Sequence, residues 1–276
     1  MQVRIWVISL FLLTLVTSAN AEMEQNPYLG TADAYLVKVD GQVVWSQNGD
    51  QPLPPASLTK LMTAMLAIEH GKLDEITRVS PAAAKETGSR LGLRVGDRYT
   101  VRSMLAATLI RSANDACHVL ADHVAGNEAK FVRLMNERAQ AIGLKNTHFT
   151  NACGHHHVNH YSTANEMADL GERLLRNPVA ADLVRTESMV IRSTNGRRKF
   201  QVKNSNQLLG QYPGLLGVKT GYTPEAGKCL VAAAKRGETR VLIVLLNAPN
   251  RWNLATEMLD KAFTDVRQTA MLGSLK

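Results

Sequence analysis

Strand signals stand at both ends of this sequence and helix signals fill its middle, an order that admits few folds. Residues 32–39 alternate, Asp40-Gly41 supplies a tight turn, and residues 42–45 answer the first run. Pro52 to Pro55 interrupts that hairpin signature. A helical run follows from Ser57 to His70, with Gly71 as its stop. Residues 100–110, 115–125 and 128–142 read as further helices. Thr163 and Glu166 form a capping box for a helix that reaches Arg176, before Pro178. Strand signals then return. Residues 190–194 and 197–202 flank Asn195-Gly196, and 217–220, 229–235 and 240–247 are further strand candidates. Residues 252–266 close the chain as a helix. The expected class is α+β: an antiparallel sheet flanked by helices, with an inserted helical subdomain.

Residues 1–21 are set apart from this pattern. Arg4 precedes an apolar stretch from Ile5 to Val16, and Ala19-Asn20-Ala21 closes it. Those are the three parts of a cleavable secretory signal, and the apolar core is short for a membrane span. The expected product is residues 22–276, one exported periplasmic domain with no stable membrane anchor and no additional C-terminal β-domain. Export bears on the charge. A formal +8 and a pI near 9.5 would otherwise raise a nucleic-acid partner, but the basic residues are scattered. Anionic envelope polymers are the better match, and solubility alone accounts for the charge equally well. With 45% hydrophobic and 20% charged residues, the chain is not a disordered one. Cys117, Cys153 and Cys229 are too few for a disulfide scaffold, and their odd number leaves at least one free or paired between chains.

Three short motifs carry chemistry. In Ser57-Leu58-Thr59-Lys60, positions i and i+3 share one helical face, so the hydroxyl and the amine are neighbours. A serine becomes a nucleophile only beside a base, and a lysine serves when it is neutral. Ser112-Ala113-Asn114 sits between two helices, where a hydroxyl can relay a proton and an amide can orient a substrate. Lys219-Thr220-Gly221 offers a cation and a hydroxyl for a carboxylate, and a glycine for close backbone approach. Taken singly, each has a plainer reading: a capped helix start, an inter-helix cap, a strand end with a surface lysine. Taken in order, they match the Ser-x-x-Lys, Ser-x-Asn, Lys-Thr-Gly set of a serine acyl-transfer site.

The surrounding residues extend the match. The runs 55–64, 112–117, 121–126, 160–164 and 217–227 together resemble the low-molecular-mass penicillin-binding proteins, the serine-type D-alanyl-D-alanine carboxypeptidases. The resemblance covers about residues 32–263. It implies Ser57 as acylated nucleophile, Lys60 as its base and Ser112 as proton shuttle. It also implies that Asn114 holds the acyl-chain amide. Lys219 and Thr220 would receive the terminal carboxylate beside Gly221, with an oxyanion hole at the N–H groups of Ser57 and Tyr222. The implied substrate is the peptidoglycan stem peptide, with β-lactams as covalent inhibitors and no cofactor or metal. A DD-endopeptidase of the same family uses the same three motifs. A β-lactamase or a non-catalytic β-lactam sensor is a more distant alternative. Two departures stand out. The family often has an arginine ahead of Lys-Thr-Gly, for which Arg197 and Arg198 are the candidates. The stretch Gly154-His155-His156-His157, with His160, replaces an apolar segment. It reads as a loop of exposed imidazoles rather than a metal site.

Overall fold

Residues 229–234 and 241–246 read as unbroken apolar runs because the sheet they build is covered on both faces. A computed structural model describes residues 26–70 and 72–273. The expected leader at 1–21 and the expected helix stop at Gly71 lie outside the described residues. The chain opens with β1 (Ala34–Val39) and β2 (Gln42–Gln47). A single 3-10 turn, Ala56–Thr59, then runs into α1 (Lys60–His70). The helical layer comprises β3 (Ile76–Arg78), α2 (Pro81–Ala84), β4 (Arg98–Thr100), α3 (Val101–Ala106), a π-helical turn (Ala107–Arg111), α4 (Asn114–Ala125), α5 (Glu128–Ala141), α6 (Ala164–Arg176) and α7 (Pro178–Val184). Next come β5 (Ser188–Arg192), β6 (Lys199–Lys203), β7 (Leu215–Thr223), β8 (Gly227–Arg236), β9 (Thr239–Leu246) and α8 (Arg251–Gly273).

Five strands form one antiparallel sheet in the order β2-β1-β9-β8-β7. Its ends come from opposite ends of the chain, as the strand–helix–strand order predicts. Because side chains alternate across a strand, Leu230, Ala232, Ala234, Ile243 and Leu245 point to one face and meet Leu254, Met258, Leu259 and Phe263 of α8. Val231, Ala233, Leu242, Val244 and Leu246 point to the other and join the helical core around α1, α3 and α4. On that face α6 lies close: a Cβ at Gly171 would stand 2.9 Å from Val231 Cγ1. Only half of the expected capping box is made: Thr163 Oγ1 accepts from Glu166 N at 3.1 Å, but the Glu166 carboxylate accepts from Asn146 N and Thr147 Oγ1 instead of reaching back to Thr163.

Some elements depart from expectation. The helix from Ser57 begins instead as a 3-10 turn, with α-geometry only from Lys60. Pro178 stops one helix and opens another, capped by Asn177, whose side chain accepts from Ala180 N. The pair β3–β4 is too short to leave a periodic signal. What positions the site is the edge strand β7, which lies directly against the 3-10 turn.

Candidate active site

Ser57 is held in place by backbone packing on two sides. Ala56 adopts φ +47°, a conformation that costs a non-glycine residue energy and so must be held by its surroundings. Gly221 of β7 abuts the turn: a Cβ there would stand 3.0 Å from Pro55 O and 3.2 Å from Ser57 N. Gly154 abuts it from the other side, where a Cβ would stand 2.0 Å from Ala56 O. The Ala56 carbonyl also accepts from Thr59 Oγ1 at 2.8 Å. That hydroxyl lies 2.7 Å from His160 Nε2, and His160 Nδ1 accepts from Thr150 N at 3.0 Å. The arrangement sets the tautomer. Nδ1 is the acceptor, so Nε2–H donates to Thr59, which donates to Ala56. Burial pushes the His160 pKa down to about 3, and the neighbouring imidazoles of His148, His157, His155 and His156 add to this. The ring is therefore neutral near pH 7.

Lys60 is fully buried at the start of α1, one turn beyond the half-buried Ser57. Its Nζ has three partners: Ser57 Oγ at 2.9 Å, Asn114 Oδ1 at 2.8 Å and the Cys153 carbonyl at 2.5 Å. Two of these only accept. Ser57 Oγ alone can also donate. In the structure Nζ donates to all three; were it to act as a base, its N–H groups would stay on Asn114 and Cys153 and its lone pair would turn to the serine hydroxyl. The Asn114 orientation is fixed by its own amide N–H on Thr87 O, at 2.6 Å. The Cys153 segment is fixed by Asn151 Oδ1, which accepts from Gly154 N and His155 N at 2.7 and 2.9 Å. Glu128 Oε1 accepts from Ala152 N at 2.9 Å.

Ser112 ends the π-helical turn at φ +63°, which aims its side chain at β7. Lys219 Nζ donates to Ser112 Oγ at 2.8 Å and to the Thr220 carbonyl at 2.9 Å. Lys219 is 1% exposed. Burial pushes its pKa well below the usual lysine value, and the proximity of Lys60 adds to this whenever that amine is protonated. Thr220 Oγ1 pairs with Ser205 Oγ at 2.7 Å. Tyr222, next along β7, is exposed and lines a cleft of about 240 Å³ with Ser57, Ser89, Asn114, Gly154 and His155.

The structure therefore gathers all three motifs at one place. Other expected residues are elsewhere. Arg197 is exposed at the β5–β6 turn, and Arg198 donates to Gly92 O at 2.8 Å and stacks on Phe200. Neither lines the cleft. An unforeseen arginine, Arg251, donates to the carbonyls of Gly221 (2.7 Å) and Cys229 (3.1 Å) and so braces β7 behind the site. The histidine stretch is also divided: His156 and His157 are exposed, His155 is half-buried against Glu86 and His160 is buried. All three cysteines are free and buried.

A cleft-lining serine on a buried lysine, a second Ser-Lys pair and a close edge strand on this sandwich define a serine acyl-transfer hydrolase. A family model described as D-alanyl-D-alanine carboxypeptidase matches residues 20–250. The D-alanyl-D-alanine carboxypeptidase DacF of Bacillus subtilis is 38% identical over 271 residues, 94% of this chain and 69% of that protein. A D-alanyl-D-alanine endopeptidase of Pseudomonas aeruginosa is 33% identical over 214 residues, 75% of this chain and 68% of that one. Among solved structures, a variant of a Streptomyces DD-transpeptidase superposes with a TM-score of 0.80 at 30% identity, covering 85% of this chain and 98% of the other. The chain belongs to the D-alanyl-D-alanine carboxypeptidase family of serine peptidases.

Proposed function

We propose that this enzyme removes the terminal D-Ala from peptidoglycan stem peptides through an acyl-enzyme on Ser57. The observation that carries the reading is the Lys60 environment: its two fixed acceptors leave Ser57 Oγ as the single partner that can give up a proton. Ser57 Oγ attacks the carbonyl of the penultimate D-Ala while its proton passes to Lys60. The oxyanion is received by the N–H groups of Ser57 and Tyr222. Lys219 and Thr220 bind the substrate's terminal carboxylate, beside the close backbone approach at Gly221. Asn114 has a second amide N–H to offer the acyl-chain carbonyl, since one is on Thr87 O. Ser112 passes its proton to the departing amine and regains one from Lys219, to which it is bonded. Water then hydrolyses the ester: its O–H joins the acyl carbon, Lys60 returns its proton to Ser57 Oγ, and the remaining water proton restores Lys219. β-Lactams acylate the same serine and are its covalent inhibitors.

The working location follows from residues 1–21, which have the composition of an export signal. Cleavage there releases residues 22–276 as one catalytic unit outside the cytoplasmic membrane. No helix among the described residues is long and apolar enough to cross a membrane. The second reading, cleavage of peptide cross-links, is favoured by the likeness to the Pseudomonas endopeptidase. One experiment separates the two: a pentapeptide muropeptide and a cross-linked dimer incubated together and read by mass spectrometry. Loss of one alanine from the pentapeptide, with the dimer intact, is expected. Conversion of dimer to monomers with the pentapeptide intact would replace the carboxypeptidase reading by the endopeptidase one.

A further inference from the structure

Behind the wall of the cleft, four titratable side chains converge that the acyl-transfer chemistry does not use. Glu86 follows α2, His118 lies in α4, Glu128 opens α5 and His155 comes from the histidine stretch. His118 Nδ1 is 2.7 Å from Glu86 Oε1 and 3.9 Å from Glu128 Oε2. One ligand atom from each of Glu86, His118 and Glu128 lies within 4.8 Å of the others. His118 is buried, and the carboxylates of Glu86 and Glu128 are 11% and 28% exposed. We propose that Glu86, His118 and Glu128 form a zinc site that clamps the wall of the active site.

The donor set fits the ion. Two carboxylates balance the 2+ charge and a neutral imidazole is a common zinc ligand, with a fourth position left for water. Tetrahedral zinc with bonds of about 2.0–2.1 Å spaces its ligands by about 3.3 Å. The 2.7 Å pair must open and the 3.9 Å pair must close, each by less than about 1 Å, and the two carboxylates, within 4.8 Å of one another, must close by at most about 1.5 Å.

The outer partners point the same way. Zinc-bound histidines usually turn their other ring nitrogen to a carboxylate. His118 Nε2 faces Asp122 Oδ1 at 3.6 Å, and Asp122 is steadied by Ser80 Oγ–H at 2.6 Å. Glu86 is aimed by His155 Nε2, 2.7 Å from its second oxygen. Glu128 is aimed by Ala152 N–H, also on its second oxygen. The outward oxygens of both glutamates thus have hydrogen-bond partners and His118 Nε2 faces a carboxylate, while the inward Glu86 Oε1 and His118 Nδ1 hydrogen-bond each other, a bond that zinc would replace. The site also has an address in the mechanism. Ala152 precedes Cys153, whose carbonyl holds Lys60. Zinc therefore pins the segment that fixes the base, as a structural clamp.

The test is zinc titration of the chelator-treated full-length protein by calorimetry, with bound metal counted after gel filtration. One zinc per chain is expected, with Kd below about 1 μM. His118→Ala and Glu128→Gln should each weaken binding at least about 100-fold, and Asp122→Asn by about 10- to 100-fold. The double variant His156→Ala/His157→Ala should bind as the wild type does. Should His118→Ala not fold, Glu128→Gln serves alone, since the amide oxygen can still accept from Ala152 N–H. Cobalt should give the visible absorption of a low-symmetry site, lost in Glu128→Gln. Zinc at 100 times Kd should raise the melting temperature by about 5–10 °C. No saturable binding in the wild type would overturn the proposal. So would binding that survives Glu128→Gln unchanged, or that disappears in the His156/His157 double variant.

Discussion

The site turns on which atoms around Lys60 can give a proton and which can only receive one. Removing the amine leaves Ser57 without a base and strands two buried acceptors, Asn114 Oδ1 and Cys153 O. Lys60→Ala should therefore slow acylation by a fluorescent penicillin about 10²- to 10⁴-fold near pH 7. It should also lower unfolding free energy by about 1–3 kcal/mol, read from urea melts. Acylation at the wild-type rate would remove Lys60 from the mechanism. At this scale much was legible. Ser57, Lys60, Ser112, Asn114, Lys219 and Thr220 announce themselves because their side chains carry the chemistry and stand in motif order. The Cys153 carbonyl does not, because every residue has a carbonyl and only the fold says which one meets the lysine. The relay from His160 through Thr59 to Ala56 was hidden for a similar reason. His160 is 101 residues from Thr59, and a buried neutral histidine reads in sequence like a surface one. Arg197 and Arg198, the two candidates for a carboxylate-binding arginine, lie at the β5–β6 turn outside the cleft, a placement that composition does not reveal.

At the level of elements, the nucleophile depends on glycines in neighbouring segments. Gly154→Ala sets a Cβ 2.0 Å from the Ala56 carbonyl at a residue with φ +86°. Neither the space nor the backbone conformation admits it. The expected outcome is a loss of at least about 3 kcal/mol in a urea melt, with a fall in acylation rate larger than any change in penicillin affinity. Unchanged stability and kinetics would mean that the turn is not held from this side. Element type was legible where periodicity was long, as in α1, α5, α6 and the runs of β8 and β9. It failed where elements are short or dual in signal. The pair β3–β4 offers three residues per strand, and Pro178 is as good a first helical residue as it is a terminator. The π-helical turn before Ser112 is likewise unwritten in composition, yet it delivers the φ +63° that aims the hydroxyl at Lys219.

For the whole molecule, a sheet buried on both faces joins the chain's two ends and holds the catalytic turn against its own edge. Met258 of α8 is fully buried against that sheet, so Met258→Ala should cost about 2–5 kcal/mol in chemical denaturation while leaving the acylation rate of the folded protein unchanged. Acid should act through His160. Its folded pKa is about 3 and an unfolded histidine titrates near about 6.5. Between those values the unfolded chain holds a proton that the native chain does not, so stability falls as pH drops through that window, by about 1.4 kcal/mol per unit from this group. His160→Gln should flatten the slope of stability against pH by that amount between pH 6 and 4, and equal slopes would contradict it. The central claim is that Ser57 takes the acyl group. Its most direct test is intact-mass analysis of the protein after brief exposure to benzylpenicillin, with the adduct mapped by peptide sequencing, beside Ser57→Ala. One adduct per chain on Ser57, and none on Ser57→Ala, is the predicted result. An adduct on another residue, or one that persists in Ser57→Ala, would contradict the account.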